Sequence, residues 1–145
     1  MDAEFAQAVA DIAKAKESHY YYSAGLKASV VSADRTLNSC VVELTVSQSE
    51  ISASGCLDEG LVATVADYWT SALITAVAGG QSALTTSLAV HALKPIAPGT
   101  VIHLRCSVTD PKLQLPHATA VFASAANNTD VYALATHTKF FKPRA

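Results

Sequence analysis

Apolar residues fall into runs of different period along this chain, and each period predicts a different element. Over residues 2–17, Phe5, Ala8, Val9, Ile12 and Ala13 recur at helical spacing on one face, which predicts an amphipathic helix. Tyr20-Tyr21-Tyr22 follows, and Gly25 breaks the pattern. Residues 26–33 and 40–47 have the Val-rich character of strands, with a polar turn at Asp34-Arg35-Thr36-Leu37-Asn38 between them. From Gly60 to Val77 apolar residues cover most of the helical circumference, so this segment predicts a helix buried on most sides. Gly79-Gly80 is its stop signal. Four more strands are expected over 82–93, 101–109, 117–126 and 131–141. Pro95 to Gly99, Pro111 to Pro116, and Asn127-Asn128-Thr129-Asp130 punctuate them. Apolar residues alternate, imperfectly, in Leu88, Val90 and Ala92 and again in Val101, Leu104, Cys106 and Val108.

This order predicts an α+β domain: an antiparallel six-stranded sheet wrapped around one long central helix, with an extra N-terminal helix. One domain is expected over residues 1–145, with the N-terminal helix and lead-in over 1–24 and the core over 25–142. A chain of this length buries about 68–70% of the surface that its unfolded form exposes. Only 15% of the 145 residues are charged while 50% are hydrophobic, so part of the apolar excess is expected between subunits. A formal net charge of -2 without a long basic run gives nucleic-acid binding no electrostatic support. Cys40, Cys56 and Cys106 lack the paired spacing of a zinc site, and no His/Cys/Asp/Glu set has metal-ligand spacing. Small buried thiols in strand-like runs fit a reducing compartment. Without a signal-peptide pattern or an unbroken apolar span, the chain is expected to be soluble and cytoplasmic, with no membrane partner.

The long helix carries one carboxylate within its apolar run. Counting by three and four from Gly60 places Thr64, Asp67, Ser71 and Thr75 on one line among Leu61, Val62, Val65, Ala66, Trp69, Leu73 and Ile74. A lone ionised carboxylate is costly to bury, so Asp67 is expected to be hydrogen-bonded or to line a wet cleft. It is either a satisfied structural acid or a general base or nucleophile. Tyr68 and Trp69 flank it and are expected to lower the local polarity. Asp58 is placed to cap the helix, with Glu59 favourable in the first turn. The N–H groups at 59–61 have no partner within the helix and form a donor set for an anion or a polarised carbonyl oxygen.

The stretch Gly55-Cys56-Leu57-Asp58-Glu59-Gly60-Leu61-Val62-Ala63-Thr64-Val65-Ala66-Asp67 resembles the motif G-x-L-H-G-G-x-x-A-x-x-x-D of hotdog-fold acyl-CoA thioesterases. Within them, it is similar to the PaaI-like group that includes the small thioesterase-superfamily proteins. Thr85-Thr86-Ser87 leading to Lys94-Pro95, and His137-Thr138-Lys139, match that group's second and third elements. The resemblance implies a hotdog fold and hydrolysis of an acyl-CoA or aryl-CoA thioester, without a cofactor, at a site shared between two subunits. It implies a homodimer or a dimer of dimers (homotetramer). Asp67 would activate water or attack the thioester carbonyl. The Glu59 N–H, helped by Gly60, would hold the oxyanion, and Thr85 or Thr86 would orient the water. Ser52 stands where the group often has an Asn against the thioester, and Asp58, Thr64, Thr86 and Lys139 would line the substrate. The chain departs from the motif at Asp58-Glu59, which replaces His-Gly and adds two negative charges near a developing oxyanion.

Two other readings use the same cleft. In one, Glu59 or Asp58 joins Asp67 in dehydration, isomerisation or cyclisation of a pathway intermediate. In the other, the domain binds an acyl ligand without turnover. His91, His103 and His117 are expected as ordinary strand residues, and Cys56 has no local base to make it a nucleophile.

Overall fold

A computed structural model describes residues 2–16, 27–109 and 114–142. The tyrosine run, Gly25 and the start of the Pro111 to Pro116 turn lie outside the described residues. The elements are α1 (Ala3–Lys16), β1 (Lys27–Asp34), β2 (Ser39–Thr45), α2 (Glu59–Val77), β3 (Ala83–Ala92), β4 (Val101–Thr109), β5 (His117–Ser124) and β6 (Val131–Phe141). Their order and number follow the apolar pattern. A 3-10 turn at Gln48–Glu50 and an isolated bridge between Ile51 and Leu57 add structure to the loop before α2, which has no periodic signal.

Local chemistry sets the bounds of α2. Asp58 is extended and its side chain accepts from Gly60 N, which starts the helix. At the other end Gly80 N donates to Thr75 O and Gly79 N to Ala76 O, a paired closure that needs the left-handed φ of +68° at Gly79. By length and hydropathy α2 would suffice to cross a membrane, but 72% of that window is buried inside the fold. It is the core helix.

The six strands form one antiparallel sheet in the order β1-β2-β4-β5-β6-β3, and α2 packs on its inner face. The α2 connection carries the chain to the far edge, so β3 pairs with β6 rather than with β2. On β4 the inward positions are Ile102, Leu104, Cys106 and Val108, while Val101 is 38% exposed. The sequence pattern counts Val101 on the apolar side. The period of two fixes the phase on Ile102 instead, because successive strand side chains alternate faces. Phe5 and Val9 of α1, Leu73 and Ile74 of α2, and Phe122 of β5 are fully buried together in the core. Truncating Leu73 to Ala would cost about 2–5 kcal/mol.

The two edges of the sheet are unlike. α1 packs against β1, and Asp2 N donates to Ala33 O at 3.1 Å. β3 is exposed along most of its length. Its Leu88 lies opposite the buried His137, on the helix side of the sheet, and is still 37% exposed.

Candidate active site

Six polar side chains meet where the middle of α2 crosses β3 and β6. Residues 67, 70 and 71 of the helix lie three and four apart and share a face. His137 and Lys139 of β6 lie two apart and both point inward. Lys139 Nζ donates to Ser71 Oγ at 2.9 Å, and Ser71 Oγ donates to Asp67 Oδ1 at 3.1 Å. His137 Nδ1 lies 2.7 Å from Thr70 Oγ1, and His137 Nε2 lies 2.8 Å from Thr85 Oγ1. Asp67 Oδ1 is 3.7 Å from His137 Nε2. The imidazole is fully buried while 28% of the Asp67 side chain is exposed, so Asp67 forms the wet end of this network. Asp67 is therefore hydrogen-bonded and also partly open to solvent.

A β-bulge between Thr85 and Ser87 shifts the register of β3 against β6. It leaves Thr85 opposite Lys139 on the inner face, while Thr86 Oγ1 donates to Thr138 O at 3.1 Å. Bulges re-aim side chains in this way beside active sites. The structure thus brings Asp67, Thr85 and Lys139 together through His137 and Ser71, and it leaves Thr86 outside that set.

The N-terminus of α2 forms a second cluster. Asp58, Glu59 and Gly60 are exposed. Asp58 Oδ1 accepts from Gly60 N at 2.8 Å, and Asp58 O accepts from Leu61 N at 3.0 Å. The expected donor set of 59–61 is narrower as a result. The cap engages Gly60 and Leu61, and the Glu59 N–H, as the first of the helix, has no intrahelical acceptor. Thr64 Oγ1 donates back to Gly60 O at 2.9 Å. Ser52 is held inside its own loop, donating to Cys56 O at 3.2 Å and lying 2.6 Å from Ser54 Oγ. Beside the helix start is a cleft of about 230 Å³ lined by Cys56, Glu59, Lys94, Pro95 and Tyr132 among others. Lys94 pairs with Asp130 and sits 4.9 Å above the Tyr132 ring.

Tyr68 and Trp69 do not surround Asp67. Helical rotation of about 100° per residue turns them toward α1 and β1. There the Tyr68 hydroxyl donates to Ala13 O, and both rings line a separate cavity of about 270 Å³. Glu50, which carries no sequence signal, is 7% exposed; its Oε2 accepts from Ser47 and Ser49, while its Oε1 has no hydrogen-bond partner. Cys40 and Cys106 face each other across β2 and β4. A hydrogen bond to Cys40 that holds the Cys106 proton, together with burial, pushes the Cys106 thiol well above its ordinary range and disfavours a thiolate there. Among the described residues no group of three or more His, Cys, Asp or Glu side chains could hold a metal ion.

The long helix laid on a six-stranded antiparallel sheet makes this a hotdog fold. Solved structures share it, some of them named as thioesterases. Zebrafish thioesterase superfamily member 2 is 22% identical, with a TM-score of 0.82 over 94% of this chain and 98% of that one. The E. coli PaaI protein of the phenylacetic acid degradation operon is 15% identical, with a TM-score of 0.77 over 96% of each chain. A Streptococcus mutans protein bound to acetyl CoA is 16% identical, with a TM-score of 0.71 over 81% of this chain and 90% of that one. No protein-family model and no curated protein sequence matches the chain.

Proposed function

We propose that the chain hydrolyses a coenzyme A thioester of an acyl or aryl acid at a site shared between two copies. The observation that carries this reading is the placement of Asp67: a carboxylate in the most apolar element, fixed by Ser71 and partly open to solvent. Asp67 takes a proton from water as the water oxygen attacks the thioester carbonyl. The tetrahedral oxyanion needs a donor near 3 Å, and the coenzyme A thiolate then leaves. The donor at the start of α2 cannot serve the same carbonyl within one chain. Asp67 lies eight residues beyond Glu59, about 12 Å along the axis at roughly 1.5 Å per residue. A second copy removes this mismatch by bringing its own Glu59 N–H to Asp67.

The bare edge of β3 and the exposed Leu88 on its helix side support that pairing, because an open strand edge is a template for another chain. The cleft with Lys94 beside the helix start is suited to the pantetheine arm and a phosphate. A bound acetyl CoA in a protein of the same fold agrees with this substrate class.

One observation favours a second reading. The Glu59 side chain lines that same cleft, where a carboxylate has no role in hydrolysis and could act as an acid or base in other chemistry. A panel of acyl-CoA and aryl-CoA thioesters, followed with a thiol reagent on the wild type and Asp67→Asn, tests the hydrolase reading. Turnover lost in the variant is expected. Wild-type inactivity across the panel would contradict it.

A further inference from the structure

We propose that His137 fixes the direction of the Thr85 hydroxyl, so that Thr85 only accepts a hydrogen bond from the water that Asp67 activates. The starting point is Thr70. Its Oγ1 lies 2.7 Å from Ala66 O and also 2.7 Å from His137 Nδ1. A hydroxyl has one proton to donate, and a carbonyl oxygen has none. Two oxygens at 2.7 Å with no hydrogen between them repel, so the Thr70 proton lies on the Ala66 contact. The contact to the ring must then be filled from the other side, by an Nδ1–H that donates to Thr70.

With its proton on Nδ1, the neutral ring offers Nε2 as an acceptor. Charged groups face the ring from two elements. Asp67 of α2 is 3.7 Å from Nε2, beyond hydrogen-bond reach, and is already linked through Ser71 to Lys139. Lys139 of β6 is only 6% exposed, on the same inward face as the fully buried ring. A second buried cation beside that ammonium would carry its own desolvation cost, which favours the neutral imidazole. Nε2 then accepts the Thr85 proton at 2.8 Å.

The proton of Thr85 is committed inward, and only its lone pairs remain for solvent on its exposed side. A water there gives one hydrogen to Thr85 and the other to Asp67, which leaves an oxygen lone pair free to attack. The methyl group of Thr85 restricts its rotation and helps keep that direction. His137 is in this sense a positioning residue, acting through Thr85. The sense of the hydrogen bonds rests on geometry alone, whereas its effect on rate rests on the hydrolase reading.

Two measurements test it together. In protein labelled with ¹⁵N-histidine, with the His137 signals assigned by their absence in His137→Gln, the ring should be neutral and protonated on Nδ1 at neutral pH. An Nε2-protonated or doubly protonated ring overturns the assignment. Kinetically, His137→Asn and Thr85→Val should each lower kcat about 10-fold, the rate equivalent of one lost hydrogen bond, with little change in KM. The double variant should be no slower than either alone, because both remove one shared interaction. His137→Gln, whose amide oxygen reaches the place of Nε2, should recover most of kcat. A role in stability only would give additive losses and similar kcat in the Asn and Gln variants, and either result overturns the proposal. A wild type without turnover contradicts the hydrolase reading instead, and the ¹⁵N spectrum still decides the ring.

Discussion

The two polar regions of α2 are built in opposite ways. At its N-terminus, Asp58, Glu59 and Gly60 are exposed, and their hydrogen bonds close within a few residues of chain. In its middle, Ser71 is joined to Lys139 of β6, 68 residues away in sequence, and Thr70 to His137, 67 residues away, which in turn reaches Thr85 of β3. The terminus is a locally made donor open to whatever arrives. The middle is a carboxylate prepositioned by tertiary packing. Each has what the other lacks, and the rise of the helix holds them apart within one chain.

The widest separation between the two regions should come from Asp67→Asn. The amide keeps the shape and a contact to Ser71 but cannot take a proton, so kcat should fall by about 10²–10⁴-fold with the fold intact. Near-normal kcat would make Asp67 a structural acid. Next is the covering of the β3 edge. Leu88→Asp places a charge on an already exposed side chain, so each chain should still fold while the proposed dimer dissociates and turnover is lost; light scattering alongside the thioester assay checks both. A monomeric variant with full activity would put both halves of the site in one chain.

Smaller effects are expected at the terminus. Glu59→Gly removes a negative charge beside the oxyanion donor and should leave thioester turnover unchanged or raise it. Loss of activity would assign the carboxylate a working role in other acid/base chemistry. Asp58→Ala deletes the cap, at about 1 kcal/mol, which lowers Tm by about 3 °C in a domain of this size. A thermal melt beside a rate measurement should show the stability loss with little change in kcat.

The contrast between the regions also explains what could be read from the sequence. The terminus and stop of α2 were legible because Asp58 and Gly79-Gly80 act on their own neighbours. The seam of Asp67 and Ser71 was legible from helical period alone. The partners of that seam were not, since they depend on β3 returning beside β6, and strand order has no local signal. A partial clue was present: on β6, Ala133 and Ala135 share the inward face with His137 and Lys139, so polar residues stand on an apolar side. Tyr68 and Trp69 mislead for the complementary reason. Adjacent in sequence to Asp67, they belong to another face of the helix. The Gly60 N–H was over-counted as a donor because the capping carboxylate competes for it.

Subunit complementation tests the shared site most directly. Asp67→Asn lacks the base. Glu59→Pro lacks the N–H donor and keeps its helix, since proline is tolerated at the first helical position. Each variant alone should be nearly inactive. Co-expressed under different tags, equal amounts should recover about a quarter of wild-type activity, because half of the dimers are mixed and each mixed dimer restores one of its two sites. Mixed dimers that stay as inactive as the parent variants would contradict the account.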